Sequence, residues 1–246
     1  EGYARRALKA DPGSGLAYVA LAMAKGWRGE PMLATLEKGI RIDPDFAMLH
    51  RHYALALSGA GMVSQAVDPA LKALALQPHE PAHFRIAVQA LVNAGRTEDA
   101  AALAERAHRI WRFDRDVALL RIESLAQAPD ARAALAALAV SPFREEPRAE
   151  LVRHSLLWRS DPAAFDWPAF DRFANGAYAA NSATAWAISL TAARMGDLTR
   201  ALAWLDRAPA TPNPLWTPLF APEAAALRRN PRFFAKMESV GMVRRW

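Results

Sequence analysis

The chain has 246 residues, of which 52% are apolar and 23% charged, and a formal net charge of +6; this balance places it among soluble, packed proteins. It has no cysteine, which excludes a disulfide framework, a thiolate nucleophile and a cysteine zinc site, and suits a reducing, cytoplasmic location. No run of about 18 apolar residues and no charged-then-apolar leader is present, so neither a membrane partner nor a signal segment is expected.

The first element, Tyr3, Ala4, Ala7, Leu8, is helical in spacing and stops at Asp11-Pro12. It reads as the second helix of a truncated repeat, so the natural protein is expected to continue upstream. Two further helices close with the same kind of phrase, Ile42-Asp43-Pro44 and Leu76-Gln77-Pro78, because proline cannot extend a helix and pushes its predecessor out of helical geometry. Between the stops, apolar residues step by three and four, as in Tyr53, Ala54, Leu57 and Val63, Ala66, Ala70, Ala73, which is the amphipathic helical period. Pro69 interrupts the second of these runs, so that helix is expected to start late or to kink.

Small residues return every 34 positions. Gly61, Ala66, Ala70, Ala73 and Pro78 are matched by Gly95, Ala100, Ala104, Ala107 and Arg112, and the same offsets reappear in Gly196, Ala201, Leu205 and Ala208, with Asn213 at the fifth place. A period of this length belongs to stacked helical hairpins. Glycine free to take positive φ ends the first helix of each hairpin, and alanine at the crossings lets helices approach while Tyr53, Leu57, Phe84 and Leu91 fill the gaps. Residues 115–142 read as a further hairpin, with Val117, Leu120 and Ile122 on one helix and Ala134, Leu135 and Leu138 on the other.

On these residues the chain resembles the tetratricopeptide repeat family, most closely over 47–80 and 81–114, well over 182–213 and more loosely over 15–46. The resemblance implies an all-α, right-handed superhelical solenoid that holds a protein segment in a concave groove without catalysis. We expect repeats over 1–140, an irregular aromatic-rich helical segment over 141–180, and a final repeat with capping helices over 181–246. The middle segment carries four prolines with Phe143, Trp158, Phe165, Trp167, Phe170, Phe173 and Tyr178; it is either a small-molecule pocket or filler between repeats of unequal length.

The end of the chain, Leu215-Trp216, Ala221-Pro222, Leu227-Arg228-Arg229-Asn230-Pro231-Arg232-Phe233-Phe234, Val240-Gly241-Met242-Val243 and Trp246, resembles the closing phrase of the repeat region of bacterial regulators. That resemblance implies a cap on the stack and an upstream winged-helix DNA-binding or nucleotide cyclase domain. Asn230 keeps a capping oxygen for the helix after Pro231. Arg228, Arg229, Arg232, Lys236, Arg244 and Arg245 against Glu238 put +5 into the last twenty residues, leaving the body nearly neutral. This tail reads as a solvated helix face and not as a nucleic-acid site.

His79-Glu80-Pro81-Ala82-His83 spells the H-E-x-x-H zinc motif, but that chemistry needs one continuous helix to bring both imidazoles to a single face. Pro81 marks a helix start, so no metal, cofactor or catalytic residue is expected. The remaining candidate site is the groove, where first-helix positions stand in a row across repeats. Arg51 aligns with Arg85, Leu55 with Gln89 and Gly59 with Asn93; Trp186, Leu190 and Arg194 fall near the same face of the last repeat. Arginines fork onto carboxylates and the amides pair with peptide backbone, so an extended acidic peptide is the expected partner. The family's clamp for a C-terminal carboxylate needs other residues, which this chain lacks. The alternative role for Arg51 and Arg85 is pairing with Glu123 or Asp116 of a neighbouring repeat.

Overall fold

A computed structural model describes residues 1–25, 30–127, 130–209 and 221–239. Its regular elements are helices: α1 (Gly2–Ala10), α2 (Gly15–Ala24), α3 (Glu30–Ile42), α4 (Ala47–Gly59), α5 (Val67–Leu76), α6 (Pro81–Asn93), α7 (Thr97–Ile110), α8 (Arg115–Leu125), α9 (Ala131–Ala139), α10 (Pro147–Ser160), α11 (Trp167–Ala180), α12 (Thr184–Arg194), α13 (Leu198–Arg207), a 3-10 turn (Pro222–Ala224), α14 (Ala225–Arg228) and α15 (Pro231–Ser239). No strand occurs among the described residues. The helices pair as the hairpins α2/α3, α4/α5, α6/α7, α8/α9 and α12/α13, and each second helix from α3 to α11 also packs on the first helix of the next hairpin; α10 and α11 stand further apart. The result is a tetratricopeptide-like helical solenoid.

The recurring glycines act as expected. Gly61, Gly95 and Gly196 have φ of 77°, 76° and 76°. Around each the same pair of bonds closes the first helix: Met62 N to Leu57 O at 2.9 Å, Arg96 N to Leu91 O at 2.8 Å and Asp197 N to Ala192 O at 3.0 Å, with the glycine N–H bonded three residues back. This is the Schellman arrangement, which satisfies helix-end carbonyls only if the residue after the cap is left-handed. The helix containing Pro69 starts late, at Val67, four residues after the place where α7 begins in the 34-residue register. Ala66, Ala70, Ala73, Ala100, Ala104 and Ala107 are buried, as the small-residue crossings require. One crossing is tighter still: a Cβ built on Gly39 would lie 2.7 Å from Leu49 Cδ2 and 2.8 Å from Tyr18 Cβ, so α3 meets its neighbours on both sides at that point.

Residues 141–180 are more regular than their prolines imply. They hold two helices of fourteen residues, α10 and α11, each with a proline in its first turn, where proline costs nothing because the first N–H groups have no helical acceptor. What sets the pair apart is spacing: α10 and α11 approach each other less closely than the helices of other hairpins, and aromatic side chains bridge them. His154 faces Phe165, Phe170 and Phe173 at centroid distances of 6.0, 5.3 and 5.4 Å, and Trp167 stands edge-on to Phe165 and Phe170. These wide rings fill the wider gap.

The apolar interior is nearly continuous. One cluster runs from Tyr18 to Leu120, a second from Leu119 to Leu156, and a third from Leu151 to Met237. Ala221 belongs to the first cluster although it follows α13 in the chain.

Candidate functional site

The inner face of the stack is identified by which helices touch. First helices of successive hairpins pack on one another, α2 on α4, α4 on α6, α6 on α8, α8 on α10 and α10 on α12, while successive second helices make no comparable contact among the described residues. A stack whose first helices crowd and whose second helices splay is concave on the first-helix side.

Arg51 is on α4 and Arg85 on α6, both first helices, with Arg51 half-buried and Arg85 exposed. Among the described residues neither forms a direct ion pair. Burial holds the Arg51 guanidinium below its ordinary value; Glu80 opposes this and the Arg85 charge adds to it, so the two cations share one field. The alternative partners are engaged elsewhere. Glu123 Oε1 is 2.9 Å from Arg148 Nε, and Asp116 lies 3.5 Å from its neighbour Arg115. Burial pushes the Glu123 carboxyl up, against Arg148, Arg194 and Arg85, which pull it down. Charges from α6, α8, α10 and α12 therefore converge on Glu123.

Gln89 and Asn93 are joined to each other, Gln89 Nε2 donating to Asn93 Oδ1 at 3.0 Å. Asn93 is only 2% exposed, and its Nδ2 is buried without an acceptor. Trp186 is 6% exposed, with Lys236 Nζ 5.8 Å from its ring centroid. These two side chains are thus covered, not open groove-lining groups. Arg194, at the end of α12, is buried enough to hold its guanidinium below the ordinary value, against Glu223 and Glu123.

Glu223 was not foreseen. It sits in the 3-10 turn 222–224, which packs on α12 and brings Pro222 Cγ within 3.4 Å of a Cβ position on Gly95 at the end of α6. The closing segment thereby crosses between the two halves of the stack. No local period in the sequence signals a contact between residues this far apart.

Three cations of the basic tail are used internally. Arg228 Nη1 donates to Ala221 O at 2.7 Å, Arg232 pairs with Asp206, and Lys236 Nζ donates to Ala208 O. Asn230 Oδ1 accepts the Arg232 N–H at 3.0 Å, the capping bond its position implies. Arg244, Arg245, Leu215-Trp216, Asn213 and the phrase from Val240 to Trp246 lie outside the described residues.

The zinc spelling is split by a helix start. Glu80 caps α6, its Oε1 accepting from Ala82 N at 3.4 Å, and Pro81 opens the helix. His83 is buried with Nε2 donating to Gln77 Oε1 at 2.9 Å, whereas His79 precedes the helix. His50 and His52 are spent on backbone carbonyls, Pro44 O at 2.7 Å and Met48 O at 2.8 Å. No cluster of three potential metal ligands occurs among the described residues, and no described helix is long and apolar enough to cross a membrane. An open cleft of about 560 Å³ runs beside Asp171, Asp197, Arg200 and Arg207, and another of about 430 Å³ lies between Leu135, Leu138 and Leu157. Neither opens onto the packed rings around His154.

No family model and no curated protein matches the sequence. Among solved structures the chain is similar to YrrB, described as a TPR protein with an unusual peptide-binding site, with 18% identity, coverage of 83% of this chain and 90% of that one, and a TM-score of 0.47. A likeness at this distance bears on neither function nor site.

Proposed function

We propose that this solenoid is a non-catalytic protein-binding module that holds an extended, acidic segment of a partner along its first-helix face. The observation that carries this reading is the pair Arg51 and Arg85, one repeat apart on the concave side, both lacking a direct ion pair among the described residues. Guanidiniums not committed to carboxylates of their own chain are available to fork onto a ligand's, a strong and directional bond. Gln89 lies one turn further along α6, where its amide can reach peptide backbone. We further read the stack as the sensory part of a larger bacterial regulator, a reading that rests on the resemblance of the closing phrase alone.

The test is a peptide-display selection against the chain, followed by titration of a selected acidic peptide with Arg85→Glu. Losing a charge-assisted bond and adding repulsion should weaken binding by about 2 kcal/mol, some thirtyfold in Kd, with the melting temperature nearly unchanged. Unchanged binding with a sharply lowered melting temperature would make Arg85 a structural residue and move the partner surface elsewhere.

A further inference from the structure

A short turn of the chain itself packs on α12 and against the residue just past the end of α6. Ala221 is fully buried and joins the apolar cluster of the early repeats, whereas Ala224 and Leu227, three and six residues on, are fully buried in the cluster of the last repeat. Between them Pro222 lies against Gly95 at the end of α6, and the turn packs on α12. Glu223, the one carboxylate of this turn, acts through its charge on Arg194 and on Arg228. An acidic residue preceded by proline thus lies in the field of Arg194, at the end of a first helix, with no direct ion pair between the two. That is the chemistry assigned above to the external partner.

The seat is apolar-tight but polar-poor. Glu223 Oε2, Arg194 Nε and Asn93 Nδ2 are all buried with no hydrogen-bond partner among the described residues. Each loses its bonds to water and gains none in return, which weakens the docked state relative to a ligand that satisfies them. A segment offering a better-placed carboxylate to Arg194 would form bonds that the turn leaves unmade. The turn is also short and lies outside the hairpins α2/α3 to α12/α13, so it can leave without unravelling one of them.

We propose that the 221–224 turn is a built-in occupant of the partner groove, and that the partner binds by displacing it and placing its own carboxylate on Arg194 where Glu223 now sits. The proposal rests on the reading of the first-helix face as a partner groove. It makes the protein self-inhibited, because the measured affinity for any partner is lowered by the fraction of molecules in which the turn is docked.

The experiment uses the whole chain and a fluorescent synthetic peptide with the sequence Ala221–Arg229. In a variant carrying Ala221→Asp and Glu223→Arg, the buried charge and the repulsion from Arg194 should undock the turn. This variant should bind the peptide at least tenfold more tightly than the parent chain, and a peptide with the glutamate replaced by arginine should lose that gain. An opened variant with an intact helical spectrum that binds no better than the parent would overturn the proposal. Should the double substitution fail to fold, hydrogen exchange on the parent decides. Amides of 223–228 should exchange at least a hundredfold faster than those of Ile188–Ala192 in α12, and equal protection would make the turn an integral cap. The two readings fail separately. A selected partner peptide that depends on Arg85 but binds parent and opened chains alike refutes the plug and leaves the groove. Binding of the chain's own peptide to the opened variant, with partner peptides indifferent to Arg85, does the reverse.

Discussion

Substituting alanine for glycine should have opposite signs at two helix-interior positions of this chain. Gly39 in α3 and Gly176 in α11 both stand away from helix ends, so alanine gains about 1 kcal/mol of helix propensity at each. At Gly176 nothing lies within 4 Å of the new Cβ, and that gain should appear in full. At Gly39 the Cβ meets Leu49 Cδ2 at 2.7 Å and Tyr18 Cβ at 2.8 Å. Leu49 can turn its terminal methyl, but a Cβ moves only with its backbone, so α2 and α3 must separate. Overpacking of this kind costs about 1–3 kcal/mol. Gly39→Ala should therefore come out less stable than Gly176→Ala by about 1–3 kcal/mol and no more stable than the parent. Urea unfolding followed by far-UV circular dichroism gives both midpoints. The hairpins of a solenoid need not unfold together, so the slopes should be compared before the midpoints. A Gly39→Ala midpoint raised as far as that of Gly176→Ala would refute the close approach of α3 to its neighbours.

Acidification should destabilise the fold below the ordinary histidine range. Burial holds His52, His83, His108 and His154 below their usual value of 6.5, so the unfolded chain takes up protons that the folded chain refuses. Stability is full above about pH 6.5 and is lost as the pH falls from there toward the folded values, at about 1.4 kcal/mol per pH unit for each such proton. Glu123, pushed up by burial, acts in the opposite sense, one group against four. A urea midpoint higher at pH 5.5 than at pH 7.5 would contradict this. Isothermal titration with zinc should show no stoichiometric micromolar binding that is lost on His83→Ala, because Pro81 separates the two histidines and His83 Nε2 is bonded to Gln77; binding that disappears in that variant would restore the metal site.

The parts of this fold legible in the sequence are those written in local chemistry and repeated. A left-handed glycine is needed wherever a first helix ends in a Schellman bond pair, so Gly61, Gly95 and Gly196 announced three of the hairpins. Gly39 could have been found by the same register, which places it with Ala73 and Ala107, both buried at helix crossings. Its partners could not, since they depend on how α2, α3 and α4 lie together. Over 141–180 the prolines misled because a proline that stops one helix also suits the first turn of the next. The groove divides in the same way. Periodicity placed Arg51 above Arg85, but burial of Asn93 and Trp186 comes from segments packed against them in three dimensions, and no spacing rule carries that. The contact of Pro222 with Gly95 is the extreme case, for it joins residues more than a hundred positions apart. Repetition encodes the stack because every hairpin solves the same packing problem. The contacts of the closing turn with α12 and Gly95 are made once, and leave no period to read.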